Sequence, residues 1–358
     1  MIYMVQGKAK RNHKYRRASN NNEVEIFSFE SIVAATNNFS VSNKIGEGGF
    51  GPVYKGTLTD GQEVAIKRLS QSSGQGLTEF KNEAKLMAKL QHTNLVRLLG
   101  FCIQRDERIL VYEYMSNKSL DYYLFDEIKQ RVLDWGKRFA IIEGVAQGLL
   151  YLHKYSRLKV VHRDLKAGNI LLDEEMNPKI FDFGMARIFG PKGYEESTNR
   201  IVSTYGYMAP EYAMNGIVSN KIDVFSFGVL LLEILSGKKN NSCYDLDHSL
   251  NLTGYAWRLW NEGRTLELIE SSLNEPSAQK KVLRGIHTGL LCVQDQAIDR
   301  PSMVDVISFL SNDTIQLVQP KQPAFFGNVV EEEFELSSSK QELYSKSCLT
   351  MSSNLDGR

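Results

Sequence analysis

Short runs of alternating apolar and polar residues fill the first third of the chain and predict antiparallel strands. The runs KIGEGGFGPVYKGTL and QEVAIKRL are separated by TDGQ, in which Asp60 and Gly61 are typical of a hairpin turn. Residues 76–90 then have helical spacing, with their apolar side chains on one face. Two more strand-like runs follow, LVRLLGFC and RILVYEYM. The pattern predicts a small lobe of strands with one helix that ends near Met115.

Helical periodicity dominates after Met115. The run LDWGKRFAIIEGVAQGLLYLHK has apolar residues every three or four positions, which predicts an amphipathic helix. Residues 222–236 are apolar on nearly all sides and indicate a central buried helix, with Gly237 as its C-cap. Further helices are predicted near 250–262, 279–293 and 301–311, with Pro301 at a first helical position. The pattern therefore predicts an α+β fold with two lobes, at 40–115 and 116–311, and a ligand cleft between them.

The two ends of the chain differ from these lobes in charge. The first 20 residues contain six Lys and Arg and no acidic residue, so residues 1–25 are predicted to be a disordered basic arm. Residues 312–358 are acidic and rich in Ser, and we expect a disordered tail there. Residues 26–39 contain enough apolar side chains for a short helical lead-in that docks on the small lobe.

Composition excludes several classes of protein. The 43 Lys and Arg nearly balance the 42 Asp and Glu, so we expect no nucleic-acid partner. The four cysteines lack the spacing of a zinc site and the density of a disulfide scaffold, which favours a reducing compartment. No apolar run approaches the roughly 20 residues that a membrane span needs. We therefore expect a cytoplasmic chain without a membrane span.

Three glycines suggest a phosphate site. Gly46, Gly48 and Gly51 form GxGxxG between two predicted strands, and backbone N–H groups can approach phosphate oxygens closely where no Cβ intervenes. The motif alone is weak, because a glycine-rich hairpin has the same pattern. A strand follows Gly51, so the dinucleotide-binding version, which needs a helix there, is excluded.

A lysine and a glutamate form a candidate ion pair. Lys67 ends the apolar run VAIK on the next strand, and an inward lysine on an apolar sheet needs a counter-charge. Glu83 lies on the sheet-facing side of the predicted helix and can supply it. The alternatives are an exposed surface lysine and an exposed helix carboxylate.

The polar stretch VVHRDLKAGNILLD contains the candidate catalytic groups. Asn169 in this stretch and Asp182 in the later run KIFDFGMAR supply two oxygen ligands of the kind that Mg²⁺ prefers. Asp164 then remains able to accept a proton from an incoming hydroxyl. Lys166, two residues further on, can stabilise a transferring phosphoryl group.

The motifs GEGGFGPV, VAIK, HRDLKAGN, DFG and APE occur in the order and spacing of the protein kinase signature. Residues 40–311 thus resemble a complete protein kinase domain, and the resemblance implies ATP, Mg²⁺ and transfer of a phosphoryl group to a protein hydroxyl. It implies catalytic roles for Lys67, Glu83, Asp164 and Lys166, and metal binding by Asn169 and Asp182. The implied nucleotide-binding positions are Ile45, Gly46, Glu47, Gly48, Gly49, Phe50, Gly51, Val53, Ala65, Lys67, Tyr112, Glu113, Met115 and Leu171.

The resemblance extends to regulation and to structural contacts. Arg163 is expected to be poorly neutralised until the segment 197–204 is phosphorylated, with Thr198 as the first choice of site. Thr204 is expected to help Lys166 set the geometry of Ser/Thr substrates. The other expected contacts are a stacked spine of Met87, Leu98, His162 and Phe183, an ion pair of Glu211 with Arg300, and anchoring of the catalytic loop by Asp223.

A narrower resemblance points to one plant subfamily. The segments FSFESIVAATNNFS, PKQPAFF and CLTMSSNLDGR are similar to the cytosolic half of plant S-domain receptor-like kinases, without their lectin-like ectodomain and membrane helix. Tyr112 is also typical of receptor-like and interleukin-receptor-associated kinases. This implies signalling at the inner face of the plasma membrane, weak contact of the basic arm with anionic lipid, and a receptor-kinase partner or a homodimer for trans-autophosphorylation.

Three positions depart from the subfamily pattern. Ser203 replaces the usual Gly before Thr204, Phe181 replaces a small residue before the DFG motif, and Gly168 replaces a common Ser. Ser203 and Phe181 lie near the predicted substrate and metal sites. The alternative to an active kinase is therefore a pseudokinase scaffold that binds ATP or partners without turnover.

Overall fold

The computed structural model describes residues 24–48, 51–69, 74–189, 195–198, 201–242, 244, 250–269 and 276–325. Residues 1–23 of the expected basic arm, residues 326–358 of the expected tail, and Gly49 and Phe50 lie outside the described residues. The described residues form an α+β fold with two lobes, a small one built on a sheet and a large one built on helices, as the sequence pattern predicts.

A six-stranded sheet is the core of the small lobe in the described part of the chain, with the strand order β1-β5-β6-β4-β3-β2. The strands are β1 (Glu25–Ile26), β2 (Lys44–Gly48), β3 (Gly51–Thr57), β4 (Glu63–Arg68), β5 (Leu98–Gln104) and β6 (Glu107–Glu113). Helix α2 (Gly74–Met87) packs against β5 and β6. Pairs among β2 to β6 are antiparallel, as expected, and the predicted turn at Gly61 joins β3 to β4 with φ of +88°.

The lead-in segment packs on the outer face of this sheet. Helix α1 (Phe29–Ala35) begins after Ser28, whose side chain accepts a hydrogen bond from Ser31 N at 3.1 Å. Ile32 on this helix is fully buried against outward side chains of β4, β5 and β6. The prediction that the lead-in docks on the small lobe is therefore confirmed for these residues.

Strand β1 differs from the sequence prediction in two ways. Glu25 is predicted to lie in a disordered arm, yet Glu25 and Ile26 pair with Gly100 and Phe101 of β5. The pairing is parallel, so the sheet is not wholly antiparallel. A two-residue strand has too few side chains to show alternation. The close approach of β1 to β5 requires a glycine at position 100, because a Cβ there would lie 2.3 Å from the carbonyl oxygen of Glu25.

The large lobe surrounds one buried helix. Its helices are α3 (Asp121–Leu124), α4 (Trp135–Leu150), α5 (Pro210–Asn215), α6 (Asn220–Ser236), α7 (Leu252–Asn261), α8 (Gln279–Cys292) and α9 (Met303–Ser311). Helix α6 is buried from Ile222 to Ser236, and Gly237 follows it with φ of +71°. The predicted central helix and its glycine C-cap are thus confirmed. A helix that is apolar on nearly all sides is stable in the middle of the lobe, where it has no face toward water.

Three antiparallel pairs of short strands complete the described part of this lobe. Strand β7 (Lys159–Val161) pairs with β10 (Arg187–Phe189), β8 (Ile170–Leu172) with β9 (Pro178–Ile180), and β11 (Glu195–Ser197) with β12 (Ile217–Ser219). The first two pairs lie on either side of the segments 162–169 and 181–186. They therefore hold both segments next to the small lobe.

Two expectations for the end of the large lobe were wrong. Pro301 is not a first helical residue, because α9 begins at Met303 and Ser302 forms a capping box with Asp305. The tail does not begin at 312. Ala324 is buried and donates to the Val293 carbonyl at 3.0 Å, and the Arg284 guanidinium contacts the carbonyl oxygens of residues 312 and 315. Composition alone could not show these backbone partners.

Among the helices that the structure describes, none combines the length and the apolar surface needed to cross a bilayer.

Candidate active site

The segment 162–169 takes its shape from α6. Asp223 is fully buried near the start of this helix, and its two carboxylate oxygens accept hydrogen bonds from His162 N at 2.8 Å and Arg163 N at 2.9 Å. Arg163 has φ of +71°, a conformation that non-glycine residues seldom adopt without support from neighbouring contacts. The predicted anchoring by Asp223 is confirmed by these bonds.

Asp164 is buried at the centre of a polar cluster. Its Oδ2 lies 3.0 Å from Lys166 Nζ and accepts a bond of 3.0 Å from Asn169 Nδ2. Its Oδ1 accepts bonds from the Thr204 amide at 3.0 Å and the Thr204 hydroxyl at 2.7 Å. Lys166 Nζ also donates to the Thr204 hydroxyl at 2.8 Å. The carboxylate therefore has one fixed orientation, and the sequence-predicted Asp164, Lys166, Asn169 and Thr204 lie together.

A second cluster joins the two lobes. Lys67 Nζ on β4 lies 3.1 Å from a Glu83 oxygen on α2 and 3.0 Å from Asp182 Oδ1 in the large lobe. The Tyr112 hydroxyl donates to the other Glu83 oxygen at 2.5 Å. The predicted pairing of Lys67 with Glu83 is confirmed. Because Lys67 contacts both lobes, its position depends on both α2 and the DFG segment.

Electrostatics in this second cluster favour the charged forms of Lys67 and Asp182, whereas burial raises the pKa of Glu83 above its ordinary value. Burial by itself lowers the pKa of Lys67, but the Glu83 and Asp182 carboxylates outweigh it and raise that pKa above its ordinary value. Burial would raise the pKa of Asp182, but the Lys67 ammonium lowers it further than burial raises it. Burial and the Glu83 carboxylate together raise the pKa of Tyr112, so its hydroxyl stays a donor.

The oxygen atoms of Asn169 and Asp182 suit a hard cation. Asn169 Nδ2 is occupied by the Asp164 carbonyl at 2.8 Å and by the Asp164 carboxylate, so its amide oxygen is the group that remains for a ligand. Its backbone carbonyl accepts from Phe181 N at 2.9 Å, which sets Asp182 beside it. An amide oxygen and a carboxylate are donors that Mg²⁺ accepts, and the residues present fit the ion.

The unusual Phe181 is accommodated without disturbing these clusters. Its ring packs edge-on against Tyr112 with centroids 5.2 Å apart, and Lys67 Nζ lies 5.3 Å from its centroid. Its carbonyl accepts from His162 Nε2 at 3.0 Å. Phe181 therefore forms an aromatic wall beside the Lys67 ammonium, and the contact of Lys67 with Glu83 persists.

Most of the predicted nucleotide-binding residues lie on strands of the small-lobe sheet that also contains Lys67. Gly46 is on β2, and a Cβ on it would have no heavy atom within 4 Å. Val53 of β3 pairs with Lys67, and Ala65 pairs with Tyr112. The remaining described positions are Ile45, Glu47 and Gly48 on β2, Gly51 on β3, Glu113 at the end of β6, Met115 just after it, and Leu171 on β8. Gly49 and Phe50 lie outside the described residues.

The expected structural contacts around the site are also present. Met87, Leu98, His162 and Phe183 are all buried, and the rings of His162 and Phe183 have centroids 4.8 Å apart. Arg300 contacts the two Glu211 oxygens at 2.7 and 2.8 Å, as predicted. These contacts fix the frame around the polar clusters.

Arg163 has oxygen partners next to the site. Its guanidinium donates to the Met185 carbonyl at 3.1 Å and to the Tyr212 hydroxyl, and Tyr212 in turn bonds both the amide and the carbonyl of Val202. The arginine is thereby linked to the segment that contains Thr204. Its expected response to phosphorylation stays a prediction.

Sequence reasoning missed one polar residue near the site. Asn82 precedes Glu83 on α2, and its amide contacts the backbone that follows Asp182. An asparagine in a helix interior has no distinctive spacing, and its partners are carbonyl groups about 100 residues away. Its proximity to Glu83 was the one available signal.

Residues 39–310 match the model of the protein tyrosine and serine/threonine kinase family. The chain therefore belongs to the protein kinase family. It is similar to the G-type lectin S-receptor-like serine/threonine-protein kinase CES101 of Arabidopsis thaliana, with 60% identity over 330 residues that cover 91% of this chain and 39% of the relative.

Two further Arabidopsis thaliana relatives give the same picture. The G-type lectin S-receptor-like serine/threonine-protein kinase B120 is 56% identical over 337 residues, which cover 93% of this chain and 40% of that protein. Cysteine-rich receptor-like protein kinase 10 is 60% identical over 298 residues, which cover 83% of this chain and 44% of that protein. The chain spans about two fifths of the length of these curated relatives. The resemblance to S-domain receptor-like kinases is confirmed at the level of the family.

Proposed function

We propose that this chain is a protein serine/threonine kinase that transfers the γ-phosphoryl group of ATP to Ser and Thr hydroxyls of proteins, including its own. The observation that carries the proposal is the Asp164 carboxylate, which Lys166, Asn169 and Thr204 hold in one orientation. The names of the relatives, serine/threonine-protein kinases, support the same activity.

In this proposal the nucleotide binds beneath the strands of the small lobe. Ile45, Val53 and Ala65 contact the adenine from above and Leu171 contacts it from below, while the backbone from Glu113 to Met115 bonds its polar edge. The glycine segment from Gly46 to Gly51 covers the phosphates, and Lys67, held by Glu83, contacts the α and β phosphates. Asn169 and Asp182 would hold Mg²⁺, which when bound would supply positive charge to the phosphate oxygens.

The groups of the Asp164 cluster orient the acceptor. Asp164 accepts a hydrogen bond from the incoming hydroxyl and takes its proton as the oxygen bonds the γ phosphorus, while the bond from that phosphorus to the β,γ-bridging oxygen breaks and ADP leaves. Lys166 stabilises the negative charge on the transferred group. Thr204 contacts both residues and so sets the position of an alcohol side chain relative to Asp164. This geometry favours Ser and Thr as substrates.

The test is magnesium-dependent autophosphorylation of the purified chain beside Asp164→Asn. We expect the substitution to lower the rate by about 10² to 10⁴, because an amide cannot accept the proton. Asp106→Asn is the matched control, since Asp106 is exposed on the turn after β5. Equal rates for the parent and Asp164→Asn would refute the proposal. Binding of ATP by the parent without turnover would favour the scaffold alternative instead.

We also infer that the chain acts at the inner face of the plasma membrane, on receptor-linked protein substrates, because its relatives are named receptor-like kinases. The basic residues within positions 1–20 would add about 1 kcal/mol each to contact with anionic lipid. We expect the chain to sediment with phosphatidylserine vesicles at low salt and not with phosphatidylcholine vesicles. Equal sedimentation with both would contradict the lipid contact.

A further inference from the structure

Asn82 bonds the backbone of the DFG segment from helix α2. Its Nδ2 lies 2.8 Å from the carbonyl oxygen of Ala186, 3.0 Å from that of Gly184 and 3.3 Å from that of Phe183. A side-chain amide has two hydrogens to donate. The Ala186 and Gly184 carbonyls, at the two shorter distances, therefore accept one hydrogen each. The Phe183 carbonyl, at the longest distance, shares one of these two hydrogens. Three carbonyl oxygens thus converge on one donor group.

These carbonyls belong to one tight turn. The Ala186 amide donates to the Phe183 carbonyl at 3.1 Å and closes the turn, Asn82 also bonds the Gly184 and Ala186 carbonyls, and Arg163 bonds the Met185 carbonyl. Directly before the turn, Asp182 has φ of +66°, a conformation that must be held by surrounding contacts. Phe183 is fully buried against His162 on one side. Asn82 supplies polar contacts to the same turn from α2.

We propose that Asn82 is a positioning residue that couples the location of α2 to the conformation of residues 182–186. Its neighbour Glu83 bonds Lys67 and Tyr112, so adjacent residues of one helical turn hold the catalytic lysine and the DFG turn. An outward shift of α2 breaks both sets of bonds together. With Asn82 in place, Asp182 stays within contact of Lys67 and next to Asn169.

The test replaces the donor and keeps the shape. Asn82→Asp is isosteric but directs oxygens at three carbonyl oxygens, so the turn loses its donor and gains repulsion. We expect kcat for phosphorylation of a protein substrate to fall at least tenfold while KM for ATP changes less than threefold. We also expect amide hydrogen exchange in residues 183–189 to become at least fivefold faster. Asn82→Ala should shift both quantities in the same direction by a smaller factor.

Asn43→Asp is the matched control. Asn43 Nδ2 donates to the Thr36 carbonyl at 2.9 Å in the small lobe, so the same chemistry is lost away from the DFG turn. This variant should keep the parent's exchange in residues 183–189 and the parent's kcat. Parent-like exchange in that segment for both Asn82 variants would overturn the proposal.

The inference rests on the proposed kinase function, and the two can fail separately. A parent chain without phosphoryl transfer refutes the kinase proposal, whereas the exchange comparison needs no activity and still decides the role of Asn82.

Discussion

Glu233 shows how strongly a single buried side chain is shaped by its surroundings. It lies near the end of α6, where its carboxylate accepts hydrogen bonds from the Tyr207 hydroxyl at 2.5 Å and from the backbone N–H of Asn240 at 2.9 Å. Burial raises the pKa of its carboxyl to about 7 in spite of these two bonds. The residue thus connects the segment after Thr204 to the core and titrates close to neutral pH.

Stability should therefore depend on pH through Glu233. Since the pKa is raised on folding, the folded chain keeps a proton between about pH 4.5 and 7 that the unfolded chain loses. The contribution of this bound proton to the free energy of unfolding is complete below that window. It is lost as pH rises through 7, which lowers the free energy of unfolding by about 3 kcal/mol in total. We expect the free energy of unfolding of the parent to fall relative to Glu233→Gln between pH 5 and pH 8. Urea unfolding at four pH values measures this, and parallel curves for the two proteins would contradict it.

At the scale of residues, spacing predicted the groups that act through short, typical motifs. Lys67, Asp164, Asn169 and Asp182 were found because each motif fixes its own chemistry along the chain. Asn82 and Glu233 were not found, since their partners are distant carbonyl and hydroxyl groups. Such contacts follow from the packing of elements and leave no local pattern.

Helix α1 is the element whose contribution is easiest to measure. Ile32 is its fully buried residue and packs on Val64 and Ile66, which alternate along β4 with the inward Ala65 and Lys67. The helix therefore supports the strand that contains Lys67, on the sheet face opposite the Lys67 side chain.

We expect Ile32→Ala to lower the free energy of unfolding by about 2 to 5 kcal/mol, because the truncation leaves a cavity under the helix. Val41→Ala is the control, since Val41 is 86% exposed and its truncation should cost less than about 0.5 kcal/mol. Denaturant unfolding of the three proteins checks this. Equal stability of Ile32→Ala and Val41→Ala would show that α1 does not support the sheet.

At the scale of elements, long periodic segments were predicted well and short ones poorly. The apolar run of α6 indicated a buried helix with nearly correct ends, and alternation indicated β3 to β6. The two residues of β1 showed no periodicity, and the start of α9 was decided by the capping side chain of Ser302, not by Pro301.

At the scale of the whole molecule, the polar cluster around Asp164 and the expected phosphorylation sites at 197 and 198 belong to one chain, but backbone pairing holds these two sites in place. The Thr198 amide donates to the Gly216 carbonyl at 2.9 Å as a continuation of the β11 and β12 pairing. To reach Asp164 of the same chain, the hydroxyls at 197 and 198 would first have to leave this pairing. A second copy can approach them without that cost.

We therefore expect autophosphorylation of Ser197 and Thr198 to occur between molecules. The initial rate per molecule should rise in proportion to protein concentration. The parent should also phosphorylate the Asp164→Asn chain at Ser197 and Thr198. An Asp164→Asn chain that also carries Thr198→Ala should gain no phosphate at position 198. Phosphopeptide mass spectrometry measures both. A rate per molecule that does not change over a tenfold range of concentration would contradict transfer between copies.

The anchoring of the catalytic loop by Asp223 also determines how the protein responds to heat. Two consecutive loop amides take their positions from a carboxylate inside α6, the helix around which the large lobe is packed. Because these bonds end on the core helix, the loop cannot keep its shape once the large lobe unfolds. Warming should abolish the enzymatic rate and the helical circular dichroism of the large lobe together, within one cooperative transition.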